Sequence, residues 1–154
     1  MNRKKTGVRY LKTNYGVKNG RTACYLKFGL CLDNIPFIDM LVNNDEFNRF
    51  LRKNNVEWWT LDDCFEDEND YQPHLIGECV GYAFCDPTDT FDESLGKKIA
   101  LTRAQAGAFE FVDNFYQFVQ NIFLNAANEF DVLSENSVDA MNKCNNHINE
   151  LIGE

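Results

Sequence analysis

The side chains with chemistry to offer gather in a few places. Asp62, Asp63, Glu66, Asp67, Glu68 and Asp70 crowd one short stretch, and Trp58 and Trp59 stand just before it. Clustered carboxylates can share a proton for acid–base work, hold a hard cation, or simply solvate a loop. A calcium loop is excluded by spacing, because the acids do not alternate at positions one, three and five with a following glycine and a closing glutamate. The six cysteines (Cys24, Cys31, Cys64, Cys79, Cys85, Cys144) and two histidines (His74, His147) give one pair at metal-ligand spacing, Cys144 and His147, with no second pair to complete a zinc site. There is no Walker-type glycine loop, no nucleophile elbow and no paired-histidine helix. The expectation is a non-enzymatic binding protein with no cofactor and no metal.

Charge narrows the kind of binding. Residues 1–32 carry eight Lys or Arg and no acid, residues 33–95 carry sixteen acids against three bases, and residues 96–154 carry eight acids against four bases, for a net charge of −9. Such a dipolar field steers a charged partner without dictating a fold. Neighbouring residues on a strand point to opposite faces, so one of Trp58 and Trp59 is expected at the surface beside the carboxylates, an aromatic anchor with a charged rim. The N-terminal cluster is not followed by an apolar run, so neither a secretory leader nor a membrane anchor is expected. The cysteines then read as free thiols in a reducing cytoplasm.

The elements that must position these groups read as one α+β domain over 1–154. Residues 1–32 form a basic β-hairpin, with strands over Val8–Asn14 and Arg21–Leu32 joined at Lys18-Asn19-Gly20. In the second strand Thr22, Cys24, Leu26, Phe28 and Leu30 alternate with Ala23, Tyr25 and Lys27. Residues 33–85 form an acidic helix, strand and loop region: a short helix capped by Asn44, a strand over Val56–Thr60, the acid-rich loop, and a strand over Leu75–Cys85.

Residues 86–154 read as a two-helix hairpin. Thr90 and Glu93 have the spacing of a capping box, and the period then runs from Phe91 to Asn128. Gly96, Ala100, Ala104 and Ala108 stand four apart, where small side chains admit a close neighbour. From Phe111 to Ala126 the apolar arc covers about half the circumference, wider than the roughly 100° stripe of a helix with one neighbour. The predicted second neighbour is an antiparallel helix capped by Ser134 after a turn at Asn128–Leu133, or a homodimer partner. The fold class is therefore an antiparallel sheet packed by a long amphipathic helix and a C-terminal antiparallel helix.

One segment carries a family resemblance. Gly81, Ala83, Cys85, Pro87, Asp89, Phe91, Asp92, Gly96, Ala100, Arg103 and Ala104, within about a sixth of the chain, resemble a pattern in small bacteriophage and prophage proteins. The run Lys97, Lys98, Ala100 is also similar to the last helix of the double-stranded-RNA-binding-domain-like fold. The first resemblance implies a phage origin and a bacterial host cytoplasm; the second implies lysines that touch phosphates.

Two functions follow as expectations. The first is inhibition of a bacterial defence system in the manner of an anti-CRISPR protein, the acidic stretch with Trp58 or Trp59 occupying the basic nucleic-acid-facing surface of an effector nuclease. The second is direct nucleic-acid binding by the basic hairpin and Lys97/Lys98. It ranks behind because Asp86, Asp89, Asp92 and Glu93 precede those lysines and repel a phosphate backbone. A small-molecule sponge or an unrecognised enzyme would need a pocket that sequence does not display.

Overall fold

The computed structural model describes residues 6–33, 35, 38–60 and 73–153. The elements are β1 (Val8–Lys18), β2 (Arg21–Leu30), α1 (Ile38–Val42), α2 (Asp45–Lys53), β3 (Val56–Trp58), β4 (Leu75–Phe84) and α3 (Glu93–Ile152). The strands form one antiparallel sheet in the order β1-β2-β4-β3. The chain divides into two compact units, one up to Asn114 and one from Phe115 onwards. The expected α+β class, an antiparallel sheet with a long helix packed on it, is present.

In the first unit the hairpin closes where the sequence places it. Asn19 and Gly20 both have positive φ, 51° and 73°, the backbone a two-residue turn needs to match the twist of its strands. The alternation read in β2 is also observed. Thr22, Cys24, Leu26, Phe28 and Leu30 are buried, while Arg21 and Tyr25 are exposed and Ala23 and Lys27 half-buried. Asn44 caps α2, its side chain accepting the Phe47 N–H at 2.8 Å, and Phe47 and Leu51 turn inward.

The buried face of the sheet receives the first part of α3. Ala100, Ala104 and Ala108 are fully buried, and Ala100 and Ala104 form a cluster with Cys24, Leu26 and Ala83. The helix lies so near that a Cβ at Gly81 would run into the Ala100 carbonyl oxygen and the Ala104 nitrogen, and one at Gly96 would sit 2.7 Å from Thr22 Oγ1. Small residues four apart thus buy backbone-to-sheet contact, as their spacing predicts. Further along, Phe111 packs on Phe28 and Phe50, with ring centroids 5.9 and 6.0 Å away.

Two details of this helix differ from the sequence reading. It starts at Glu93 with Asp92 as its cap, the Asp92 carboxylate accepting the Leu95 N–H at 3.0 Å. The Thr90/Glu93 box is not what starts it; an aspartate at the N-cap is as good an acceptor as a threonine and lies next to the first turn. The second unit contains no turn at Asn128–Leu133 and no second antiparallel helix: α3 runs unbroken to Ile152. Neither Gly nor Pro stands between Gly107 and Gly153, so nothing ends the ladder before Gly153, whose φ of 76° terminates it. Ser137, within the span expected to be a second helix, instead returns its hydroxyl to the Leu133 carbonyl at 2.8 Å, an ordinary mid-helix bond.

Candidate nucleic-acid interface

One face of the sheet carries the first part of α3, and the other carries the side chains that alternate with the buried ones. Strand register arranges this second face in rows. Lys18, Arg21 and Phe84 stand across one row; Gly16, Ala23 and Tyr82 across the next; Asn14, Tyr25 and Val80 follow; then Lys12, Lys27 and Glu78. The row of Gly16, Ala23 and Tyr82 is small on β1 and β2 and aromatic on β4, and the next row carries its ring, Tyr25, on β2. Tyr25, Tyr82 and Phe84 are 41%, 49% and 64% exposed, well above what a ring in a core retains.

The rings and cations are mutually placed. Tyr82 and Phe84 stack with centroids 6.2 Å apart and planes at 21°, and the Arg21 guanidinium lies 5.6 Å from the Phe84 centroid. That pairing holds the Arg21 guanidinium by the ring through attraction to its π face. Gly16, Lys18, Ala23, Tyr25, Tyr82 and Phe84 are among the residues lining a shallow cleft of about 850 Å³ over this end of the sheet. A Cβ at Gly16 would meet nothing within 4 Å, so the small residues leave a trough between the cations of the hairpin and the rings of β4.

The residues singled out from sequence are distributed otherwise. Asp62, Asp63, Glu66, Asp67, Glu68 and Asp70 lie outside the described residues. Trp58 is half-buried, its ring packed on Phe47 at 5.6 Å and its indole Nε1–H donating to Asn48 Oδ1 at 2.9 Å. Trp59 is half-buried too, and its enclosed indole nitrogen has no partner among the described residues. Lys97 lies on the α3 side of the sheet, 2.6 Å from Glu93 Oε1 and 5.7 Å from the centroid of the Tyr15 ring. Lys97 and the open-face cations therefore do not share a surface.

Sequence reasoning passed over Tyr82 and Phe84. Their signal was the alternation Gly81-Tyr82-Ala83-Phe84, in which small residues face the helix and the rings must face away.

A second group of reactive side chains converges at the other end of the sheet. Cys31 Sγ donates to Asp33 Oδ2 at 2.9 Å, and His74 Nε2 lies 3.6 Å from Asp33 Oδ1, so the three offer metal-ligand atoms within 4.8 Å of one another. The second hydrogen bond of the imidazole decides what they can do. His74 Nδ1 accepts the Leu32 N–H at 3.0 Å, which leaves the proton of a neutral ring on Nε2, facing Asp33. A metal-bound histidine has the reverse arrangement, its second nitrogen donating. Burial, and then the bond to Asp33, push the Cys31 thiol pKa up, which works against the thiolate that a nucleophile or a metal ligand must present. The arrangement suits a hydrogen-bonded brace better than a reaction centre.

Other described cysteines show the same tendency. Burial raises the Cys24 thiol, and burial followed by the Glu78 and Glu110 charges raises Cys79. All described cysteines are free. No helix among the described residues is long and apolar enough to cross a membrane. No protein-family model, curated protein or solved structure matches the chain.

Proposed function

We propose that this protein binds single-stranded nucleic acid on the open face of its sheet. The observation that carries the reading is the row pattern itself: exposed Tyr25, Tyr82 and Phe84 beside Lys12, Lys18 and Arg21. Proteins that hold single strands combine a cationic track for the backbone with aromatic rings on which bases stack, and stacking is worth roughly 1–3 kcal/mol per base. A sheet face suits bases splayed out of a helix, whereas a duplex hides its base faces from a flat surface. The dipolar charge supports this use, because the cations gather in residues 1–32 while the acids concentrate in 33–95.

This proposal takes the hairpin from the second sequence expectation and leaves Lys97/Lys98 out, since Lys97 is engaged by Glu93 and Tyr15 on the opposite side. The test is fluorescence anisotropy with labelled single-stranded RNA, single-stranded DNA and duplex at two salt concentrations. Single strands should bind in preference to duplex, and their affinity should fall as salt rises. Absence of binding at low salt would overturn the proposal and return the weight to the acidic stretch Asp62–Asp70 as the contact with a basic protein partner.

A further inference from the structure

The open face of the sheet ends at a carboxylate. Glu78 is exposed and is the only acid among the residues of the four rows that run from Lys18, Arg21 and Phe84 to Lys12, Lys27 and Glu78. Two residues back along the same face of β4, Ile76 is only 3% exposed. A Cβ on Gly29, the strand partner of Ile76, would sit 2.7 Å from Pro73 Cβ and 3.3 Å from Leu11. Pro73 and Leu11 therefore close the face just beyond the Glu78 row, while the rings of Tyr25, Tyr82 and Phe84 lie on its open side.

We infer, resting on the open-face reading, that Glu78 is the residue by which this face selects a base, and that the base is guanine. The rows put the two ends of a nucleotide where this needs them. Neighbouring strands lie about 4.8 Å apart, so the cations of β1 stand two strands, about 10 Å, from the line of β4. A phosphate held by Lys12 or Lys18 sends its base over β2 towards the rings and the carboxylate of β4. About 10 Å is one Debye length at 0.1 M salt, so Glu78 does little to repel the phosphates. What meets it is the edge of a base.

Hydrogen-bond complementarity names that base. An ionised carboxylate accepts and never donates. Guanine offers N1–H and its N2 amino group side by side on the Watson–Crick edge, one donor for each Glu78 oxygen. Adenine and cytosine offer a single amino group beside a ring-nitrogen lone pair, which faces the second oxygen and repels it. Uracil and thymine set their one N–H between two carbonyls. Bases splayed from a single strand are read along this edge, and a polar group left without its complement is what rejects the wrong ligand.

The experiment is fluorescence anisotropy of the full chain with short labelled oligouridines that carry guanosine, inosine, adenosine or cytidine at one central position, and with the same series in oligothymidine DNA. Central guanosine should bind roughly tenfold more tightly than uridine. Inosine, which keeps N1–H but lacks the N2 amino group, should lose most of that gain. Glu78→Gln should bring guanosine and uridine to within about twofold of each other. Equal affinity for every central base, or a guanosine preference that survives in Glu78→Gln, would overturn the assignment and leave the open face as a single-strand site without base selection. A Glu78→Gln variant that binds every oligonucleotide more tightly by the same factor would overturn it too, since Glu78 would then only offset the charge of Lys27, its strand partner. Absence of binding by any oligonucleotide at low salt is a separate result: it overturns the open-face reading itself, and this inference with it.

Discussion

His74 Nδ1 accepts the backbone N–H of Leu32 at 3.0 Å across 42 residues of sequence, and the His74 backbone completes the connection. Its N–H donates to the Leu30 carbonyl at 3.1 Å, and its carbonyl accepts the Trp59 N–H at 2.9 Å. One residue therefore ties the end of β2 to the start of β4 and to the residue after β3. Replacing the ring with an apolar group leaves the Leu32 donor without its acceptor, which costs about 1–3 kcal/mol for a buried donor and less for a part-buried one. His74→Leu should lower the urea midpoint by the equivalent of about 1 kcal/mol, and His74→Asn, whose carbonyl oxygen can take the place of Nδ1, should recover part of it. Equal losses in both variants would show that the ring matters only as packing.

Gly81 and Gly16 make opposite predictions on the two strands that flank β2. A methyl at Gly81 would enter the backbone of α3 at Ala100 and Ala104, whereas one at Gly16 meets nothing. Overpacking of this kind costs typically 1–3 kcal/mol, and backbone cannot give way as a side chain can. Gly81→Ala should therefore destabilise by at least about 2 kcal/mol. Gly16→Ala should be neutral or gain about 0.4–1 kcal/mol by restricting the unfolded chain. Denaturant melts of the two variants decide the matter.

Thr22 is 1% exposed, and its hydroxyl has no partner among the described residues. An unsatisfied buried hydroxyl is a standing cost, and an apolar group of the same shape removes it. Thr22→Val should accordingly leave the melting temperature unchanged or raise it. A clear drop would mean that the hydroxyl has a partner in solution, such as a water held between β2 and Gly96.

Asp86 accepts hydrogen bonds from the Thr88 hydroxyl at 2.7 Å and the Thr88 N–H at 2.9 Å, which hold its pKa below the ordinary aspartate value. Both bonds favour the charged form. A depressed folded pKa contributes stability that is present above the unfolded value, about 3.9, and is lost as pH falls through the folded one. The Asp86 carboxyl should titrate by NMR below the ordinary value, and Thr88→Val, which deletes the larger contribution, should move its midpoint upward. An unchanged midpoint would refute the hydroxyl's part in the shift.

Local signals made most of the first unit legible. Asn19-Gly20 specifies its own turn, Asn44 its own cap, and the alternation in β2 its own buried face, because each depends on residues within a few positions. The length of α3 was not legible in the same way. A half-circumference apolar arc demands more cover than a single sheet gives, and the pattern alone does not say whether a second helix of the same chain or a homodimer partner supplies it. The observed helix satisfies the pattern without folding back, since nothing between Gly107 and Gly153 breaks it. The open-face site depends on which residues of β1, β2 and β4 fall into the same row, a relationship between segments up to about seventy residues apart that no local period encodes.

The open face separates its two contributions by salt. Cations that touch phosphates release counterions, so each lost contact should flatten the dependence of log affinity on log salt by about 0.7 for a single strand. Stacked rings contribute without such a slope. Lys12→Gln with Lys18→Gln should therefore weaken single-strand binding and reduce the slope, while Tyr82→Ala should weaken it by about 1–3 kcal/mol and leave the slope alone. Arg21 would mix the two effects, because its guanidinium lies over Phe84. Lys97→Gln, on the α3 side beside Glu93 and Tyr15, is the internal control and should bind like the parent. A Lys97→Gln variant that loses as much affinity as Lys12→Gln with Lys18→Gln would move the strand's path from the open face to the edge of β1, and the aromatic rows would then have to be explained by a different ligand.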